Sequence, residues 1–193
     1  MVLTASSISR DKIKLRDFKC LNTTNNTQEN LSNYYGIKGT LIIFMCNHCP
    51  YVVHLLDHIV GFCGKIKEKQ ISSIAVSSND IVNYPQDSPD NMNLLTKEKK
   101  IHFPYFFDKN QEVAHYYQAL CTPEFLLFDK NHELFYHGRY DKSRPNNGIG
   151  VTGEDLKKGV DNMLNNDSDT KFLQYPSMGC NIKWIKGNEP EYE

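Results

Sequence analysis

The chain has 193 residues, of which 39% are apolar and 23% charged. That length and balance fit one globular domain with a real core and exclude an intrinsically disordered chain. Lys plus Arg number 22 against 23 Asp plus Glu, a formal net charge of -1. Nucleic acid is therefore not expected as a partner, since phosphate binding draws on a basic surplus.

The start, Met1-Val2-Leu3-Thr4-Ala5-Ser6-Ser7-Ile8-Ser9-Arg10, lacks the apolar run of a signal peptide, and no stretch is long enough to span a bilayer. A cytoplasmic protein with no membrane partner is expected. The first thirty residues are polar, with a loop-like cluster at Asn22-Thr23-Thr24-Asn25-Asn26-Thr27. Leu41-Ile42-Ile43-Phe44-Met45 is an unbroken apolar run and reads as a buried central strand. From Tyr51 to about Lys67, the residues Val52, Leu55, Leu56, Ile59, Val60, Cys63 and Ile66 recur at helical spacing, and Pro50 suits the first turn. Ile71 to Val76 reads as a second, parallel strand, and Asn79 to Pro89 as turn-rich. Short helices are expected over Pro89 to Lys99 and Gln111 to Tyr117. Phe125-Leu126-Leu127-Phe128, the turn Asp129-Lys130-Asn131-His132 and Glu133 to Tyr140 read as a hairpin. Thr152 to about Leu164 reads as a helix with Thr152 as N-cap. The tail, irregular from about 166, carries one apolar-bearing segment, Gly179-Cys180-Asn181-Ile182-Lys183-Trp184. The expected fold class is α/β, with a mixed sheet flanked by helices in a single domain over 1–193.

The six cysteines are Cys20, Cys46, Cys49, Cys63, Cys121 and Cys180. In a reducing compartment, closely spaced pairs point to redox chemistry or metal binding ahead of a structural disulfide framework. Cys46-Asn47-His48-Cys49-Pro50 falls between the buried strand and the first long helix. A helix N-terminus offers unpaired N–H groups and the positive end of the dipole, which favour thiolate over thiol. Cys46 is accordingly expected to be the most acidic thiol, with His48 favouring its ionised form and Cys49 closing the disulfide. A zinc site would need a second ligand pair, and none follows. His54 and His58 lie one turn apart, but at ~1.5 Å per residue His58 is roughly 13 Å along the helix from Cys49, so both read as a solvated face. Cys63 fits the apolar face as a core thiol, and Cys20 reads the same way near a first strand. Cys121 is open between core and site. Cys180 is open between packing and a resolving thiol, with packing preferred. His102, His115, His132 and His137 read as structural. Asn79 and Asp80 either line the edge beside the cysteine pair or only form a turn.

With Thr122-Pro123 before a later strand, Cys46-Asn47-His48-Cys49-Pro50-Tyr51-Val52 resembles the thioredoxin fold. The likeness runs from about Leu15 to Trp184. It is nearest to redoxins of the peroxiredoxin-like (AhpC/TSA, alkyl hydroperoxide reductase/thiol-specific antioxidant) and TlpA/ResA-like groups. Ser77-Ser78-Asn79-Asp80, Phe103-Pro104-Tyr105 and Cys121-Thr122-Pro123-Glu124-Phe125 support it. The resemblance implies a cis Pro123 facing the pair and helping to bind substrate, with Thr122 and Cys121 beside it. Three departures are visible. Met45 stands where thioredoxin has tryptophan. The preceding strand holds no acid, which leaves the proton acceptor of the second thiol unassigned. Against the peroxiredoxin pattern Pro-x-x-x-Thr-x-x-Cys, counted to Cys49, the chain has Ile42 and Cys46, and Arg139 is no obvious substitute for the arginine beside the peroxidatic thiolate.

The expected function is thiol–disulfide oxidoreduction through Cys46 and Cys49, with His48 at the site, Thr122 and Pro123 binding substrate, and Cys121 and Cys180 as candidate accessory redox thiols. Partners would be protein or small-molecule disulfides and thiols and a thiol reductant. No cofactor and no metal site is expected. The alternatives are a thiol peroxidase and a copper-handling protein using Cys46, Cys49 and a distant histidine such as His137.

Overall fold

A computed structural model of the chain describes residues 3–6, 13–165 and 173–191. Its strands are β1 (Leu3–Ala5), β2 (Lys19–Asn22), β3 (Thr27–Asn30), β4 (Gly39–Phe44), β5 (Ile71–Ser77), β6 (Tyr105–Phe107), β7 (Cys121–Thr122), β8 (Glu124–Asp129), β9 (Leu134–Gly138) and β10 (Met178–Asn181). The helices are α1 (Pro50–Glu68), α2 (Pro89–Glu98), α3 (Glu112–Tyr117) and α4 (Glu154–Leu164), with short 3-10 turns at Leu31–Tyr34 and Pro85–Asp87. Seven strands form one mixed sheet in the order β3-β2-β6-β5-β4-β8-β9. β4, β5 and β6 run parallel, while β8 and β2 are antiparallel to their neighbours.

The apolar run of β4 is buried on both faces, as its sequence requires. Leu41 and Ile43 enter one core with α1, α2 and α4, while Ile42 and Phe44 enter a second core with α3. α1 buries Val52, Leu55, Leu56, Ile59, Phe62, Cys63 and Ile66, each large side chain contributing about 1.5–3 kcal/mol. β4 therefore ends, and α1 begins, at a fixed place above the sheet. The β8–β9 hairpin turns on Asp129, whose Oδ1 accepts the N–H groups of Asn131 and Glu133. α4 starts two residues later than expected. Gly153, in the left-handed region, is its N-cap, and the Thr152 hydroxyl accepts the Glu154 N–H at 3.3 Å. The polar first thirty residues hold a β2–β3 hairpin, of which only the first strand, near Cys20, was expected. Its Thr23–Asn26 turn is the loop-like cluster.

The tail expected from about 166 begins in 166–172, which lie outside the described residues. Beyond them β10 returns to the body of the molecule. It is the middle strand of a second, three-stranded sheet, β1-β10-β7, with Cys180 paired to Thr122. Ile182 N–H donates to the Leu120 carbonyl and Lys183 N–H to Asn79 Oδ1. Trp184 packs on His115 with ring centroids 4.7 Å apart, so the tail docks as Trp184 led us to expect. Gly179 makes the approach feasible, since a Cβ there would stand 1.9 Å from the Thr122 carbonyl oxygen. Both clashing groups are main chain, so β10 would have to move. Gly179→Ala should cost more than the roughly 1–3 kcal/mol of ordinary overpacking, read as a lower urea midpoint at unchanged m-value.

Candidate active site

β4 delivers Cys46 two residues past its end, and α1 receives the chain at Cys49. Cys49 is the extended N-cap residue, at φ -69° and ψ 120°, and its carbonyl accepts the Val53 N–H at 2.9 Å. Pro50 at the first helical position has no N–H to leave unpaired. The helix N-terminus thus falls on Cys49, three residues beyond the place expected for the acidic thiol. None of the six cysteines is joined in a disulfide. Cys46 is 1% exposed and Cys49 fully buried.

Thr122 binds the two sulfurs together. Its hydroxyl lies 3.5 Å from Cys46 Sγ, and its carbonyl accepts the Cys49 thiol at 3.1 Å. The Thr122–Pro123 peptide bond is cis, as the resemblance implies. β8, which follows it, pairs with β4 from Gly39–Asp129 to Phe44–Glu124. That register sets Thr122 opposite the residues just beyond β4, where the cysteine loop begins.

The loop is held from the other side by Asp87, a residue the sequence reading left inside a turn-rich stretch. Asp87 Oδ1 accepts the backbone N–H of Asn47 at 2.8 Å and of His48 at 3.3 Å. Oδ2 meets His48 Nδ1 and the Asn79 amide, at 2.7 and 2.8 Å. Burial pushes the Asp87 carboxyl up, but the hydrogen bonds of His48 and Asn79, the His48 charge and the Asn47 N–H together hold it below its ordinary value of 3.8. Asn79 lines the site as one of its two readings had it. Asp80 takes the other, its carboxylate accepting the Val82 N–H and the Asn83 amide in a turn. Tyr84 stacks on His48 at 5.6 Å and 10°.

These contacts reverse the expected order of acidity. Cys46 is pushed well up, first because its thiol donates to Cys49, then by burial and by the Asp87 carboxylate. His48 Nδ1 is within hydrogen-bond reach of Cys46 Sγ at 3.9 Å and closer to Asp87, at 2.7 Å. Cys49 is lowered to about 5 by hydrogen bonds from Cys46, Thr122 and both the thiol and N–H of Cys180, against the cost of burial. The Thr122 carbonyl is the contact that favours its neutral form. The hydrogen bonds thus favour the charge on Cys49 over Cys46, and the dipole at the helix N-terminus acts in the same direction.

Cys121 lies on the same segment but belongs to another network. Its thiol donates to Glu124 Oε2 at 3.8 Å, and the same oxygen accepts the N–H groups of Leu120 and Cys121. Glu124 Oε1 meets His137 Nε2 at 2.5 Å, both side chains almost fully buried. Burial and the Glu124 charge push the Cys121 thiol well up, so it is held as a neutral thiol. His137, read as structural, is a partner of this acid. The missing acid of β4 thus has a buried counterpart in β8, next to the cis-proline. Cys63 and Cys20 are buried core thiols, both pushed up to about 12 mainly by burial. The solvated face expected for His54 and His58 is only partly solvated. Tyr140 folds over it and meets His58 Nδ1 at 2.6 Å, and His54 buries Nε2. Arg139 bonds Asp155 at 2.6 Å and stacks on Tyr175.

Among the described residues, Cys46 Sγ, His48 Nδ1 and an Asp87 oxygen lie within 4.8 Å of one another. That is a mixed sulfur, nitrogen and oxygen donor set of the type a borderline-soft cation takes. His137 is not part of it. No helix of the described residues is long and apolar enough to cross a membrane.

A family model described as the AhpC/TSA family matches residues 12–137. No curated protein matches the chain. A crystal structure of an uncharacterized conserved protein from Geobacillus kaustophilus is 38% identical, with TM-score 0.90 over 96% of this chain and 97% of that one. A hypothetical protein from Sinorhizobium meliloti is 34% identical, with TM-score 0.88 over 95% and 98%. A putative thioredoxin from Neisseria meningitidis shares the fold at 19% identity, with TM-score 0.59 over 80% and 91%. With its sheet order, its cis-proline segment and this family match, the chain is a thioredoxin-fold protein of the AhpC/TSA family.

Proposed function

We propose that the protein, as a single redox domain, is a thiol–disulfide oxidoreductase whose working couple is the Cys46–Cys49 dithiol and disulfide. What carries this reading is one observation: the two sulfurs of the loop leading into α1, the second at its N-cap, are both held by Thr122, next to a cis-proline, with one of them favoured as thiolate. The Cys49 thiolate attacks a disulfide of the partner and expels one of its thiolates. Cys46 then attacks the Cys49 sulfur, releasing the second thiol and closing Cys46–Cys49. A thiol reductant reopens it. His48 and Asp87 hold the loop between the cysteines, and Thr122 and Pro123 form the wall against which the partner's sulfur is presented. Pro50 is exposed and Asn47 and His48 half-buried, so partners reach the pair over this rim. We place the activity in the cytoplasm, with protein or small-molecule disulfides as partners.

A second reading rests on Cys49 itself. A lowered thiol at a helix N-terminus in an AhpC/TSA protein also suits attack on a hydroperoxide. Cys49 would take the distal oxygen as a sulfenic acid and release an alcohol, and Cys46 would condense with it to give the disulfide and water.

Equilibration with glutathione buffers from pH 5 to 9, with peroxide consumption assayed in the same samples, tests both. Between about 5 for Cys49 and the ordinary thiol value of 9.0, the reduced pair holds one proton, on Cys46. For a two-electron couple each proton taken up makes the potential fall by about 30 mV per pH unit. The expected slope is thus about 30 mV, where two ordinary thiols give about 59 mV. The steeper slope would remove the thiolate from the site. Peroxide loss matched to disulfide formed would favour the peroxidase.

A further inference from the structure

The oxidoreductase reading uses two sulfurs, but the site holds three. β10 lies along β7 with Cys180 opposite Thr122, the residue that touches both Cys46 and Cys49. Gly179 is flush against the Thr122 carbonyl, and β1 closes the other edge of β10. Cys180 is therefore fixed by main-chain pairing on both sides, at 3% exposure. Its thiol and its N–H both hydrogen-bond the Cys49 sulfur. Cys46 hydrogen-bonds the same sulfur. Cys49 is thus the sulfur that both other thiols meet.

We propose, building on the oxidoreductase reading, that Cys180 is a third redox thiol that takes over the disulfide from Cys46. With the pair oxidised, the Cys180 sulfur attacks the Cys49 sulfur. The Cys49–Cys180 bond forms, the Cys46–Cys49 bond breaks, and the proton of Cys180 ends on Cys46. Two sulfurs are in disulfide and one is a thiol before and after, so no outside oxidant enters the step. Its result is to move the disulfide inward, under β10, and to return Cys46 to the loop as a thiol.

The local charges favour this order of events. Cys180 is pushed up to about 12 by burial, by its hydrogen bond to Cys49 and by the charge of Cys49, and Lys183 opposes this. Oxidation of Cys49 removes its charge and its demand for a proton, while the Lys183 ammonium stays. Burial opposes ionisation of Cys180 in both states, and Cys49 adds to that opposition only while the pair is reduced. The sequence preference for a packing role rested on a lone tail cysteine having no spacing partner; β10 brings it to the site.

The test treats full-length reduced protein with oxidised glutathione, quenches in acid, alkylates free thiols and maps disulfides without reduction. Wild type is expected to give a Cys49–Cys180 linkage beside Cys46–Cys49. In Cys46→Ser, glutathione joined to Cys49 should be expelled by Cys180 to give Cys49–Cys180. In Cys46→Ser/Cys180→Ser the adduct should persist on the order of 100-fold longer, as expected when an adjacent nucleophile is lost. Wild type giving Cys46–Cys49 alone, with a lasting adduct in Cys46→Ser, would overturn the role of Cys180 and leave the oxidoreductase reading standing. Neither a Cys46–Cys49 nor a Cys49–Cys180 linkage in wild type would remove that reading and this one with it.

Discussion

Cys49→Ser should convert the attack on oxidised glutathione from nearly pH-independent to steeply pH-dependent. In the intact pair Cys49 is lowered to about 5, so the thiolate is already formed at neutral pH and the rate of attack is flat down to about pH 6. Serine at position 49 removes that sulfur and leaves Cys46, which has the Asp87 carboxylate nearby and sits at no helix N-terminus. Its rate should climb about tenfold per pH unit up to the ordinary thiol range near 8.5. At neutral pH the two rates differ less than thiolate fractions alone would give, because a more basic thiolate is the better nucleophile, with a Brønsted slope of about 0.4–0.5. The contrast opens at pH 5.5 to 6. The matching variant, Cys46→Ser, keeps a hydroxyl that can donate to Cys49 and should keep the flat profile. Either change removes the Cys46–Cys49 disulfide and so stops turnover through it. Stopped-flow attack rates from pH 5 to 9 on both variants check this, together with the Cβ chemical shifts of isotope-labelled cysteine. A flat profile in Cys49→Ser would return the thiolate to Cys46.

Much of this site was legible before any coordinates, because strong local signals carried it. Leu41 to Met45 had no polar break, α1 had its apolar period, and Pro50 marked a helix start. The cysteine pair therefore fell at a strand-to-helix junction, and Thr122-Pro123 fell beside it through the resemblance. What stayed hidden depended on contacts far apart in sequence. Asp87 meets Asn47 and His48 across 40 and 39 residues, and nothing in the turn-rich stretch distinguished it from a turn former. Glu124 was sought in β4 because it was expected one strand earlier; pairing of Phe44 with Glu124 brings the acid to the same level of the sheet from the neighbouring strand. The direction of the acidity order differs from the expected one for a more local reason. The helix dipole was credited to the first cysteine, whereas the N-cap lies at the second. Cys180 could not be placed at all, since the pairing of β10 with β7 and β1 joins segments from the start, middle and end of the chain.

Asp87→Ala should be the most destabilising single change in the site. The side chain is fully buried and takes hydrogen bonds from four groups: the N–H groups of Asn47 and His48, the His48 ring and the Asn79 amide. Alanine strands all of them, and loss of one partner of a buried pair costs about 3–5 kcal/mol. At roughly 2–4 °C per kcal/mol for a chain of this size, the melting temperature should fall by roughly 6–20 °C. Asp87→Asn keeps an acceptor oxygen for the Asn47 and His48 N–H groups and should lose less. The acid limb of stability gives a second readout. The folded carboxyl is held below its ordinary value of 3.8. Asp87 therefore contributes stability that is fully present above that value and is lost as pH falls through the lower, folded one. Wild type should shed this contribution on acidification below about pH 4, and Asp87→Ala, having none to shed, should show a flatter acid limb. The same change removes the carboxylate that opposes ionisation of Cys46, so the Cys46 thiol should titrate at lower pH in both variants. A fall in melting temperature with an unmoved Cys46 titration would assign Asp87 to holding the loop alone. Movement of both makes it the group that keeps the thiolate on Cys49.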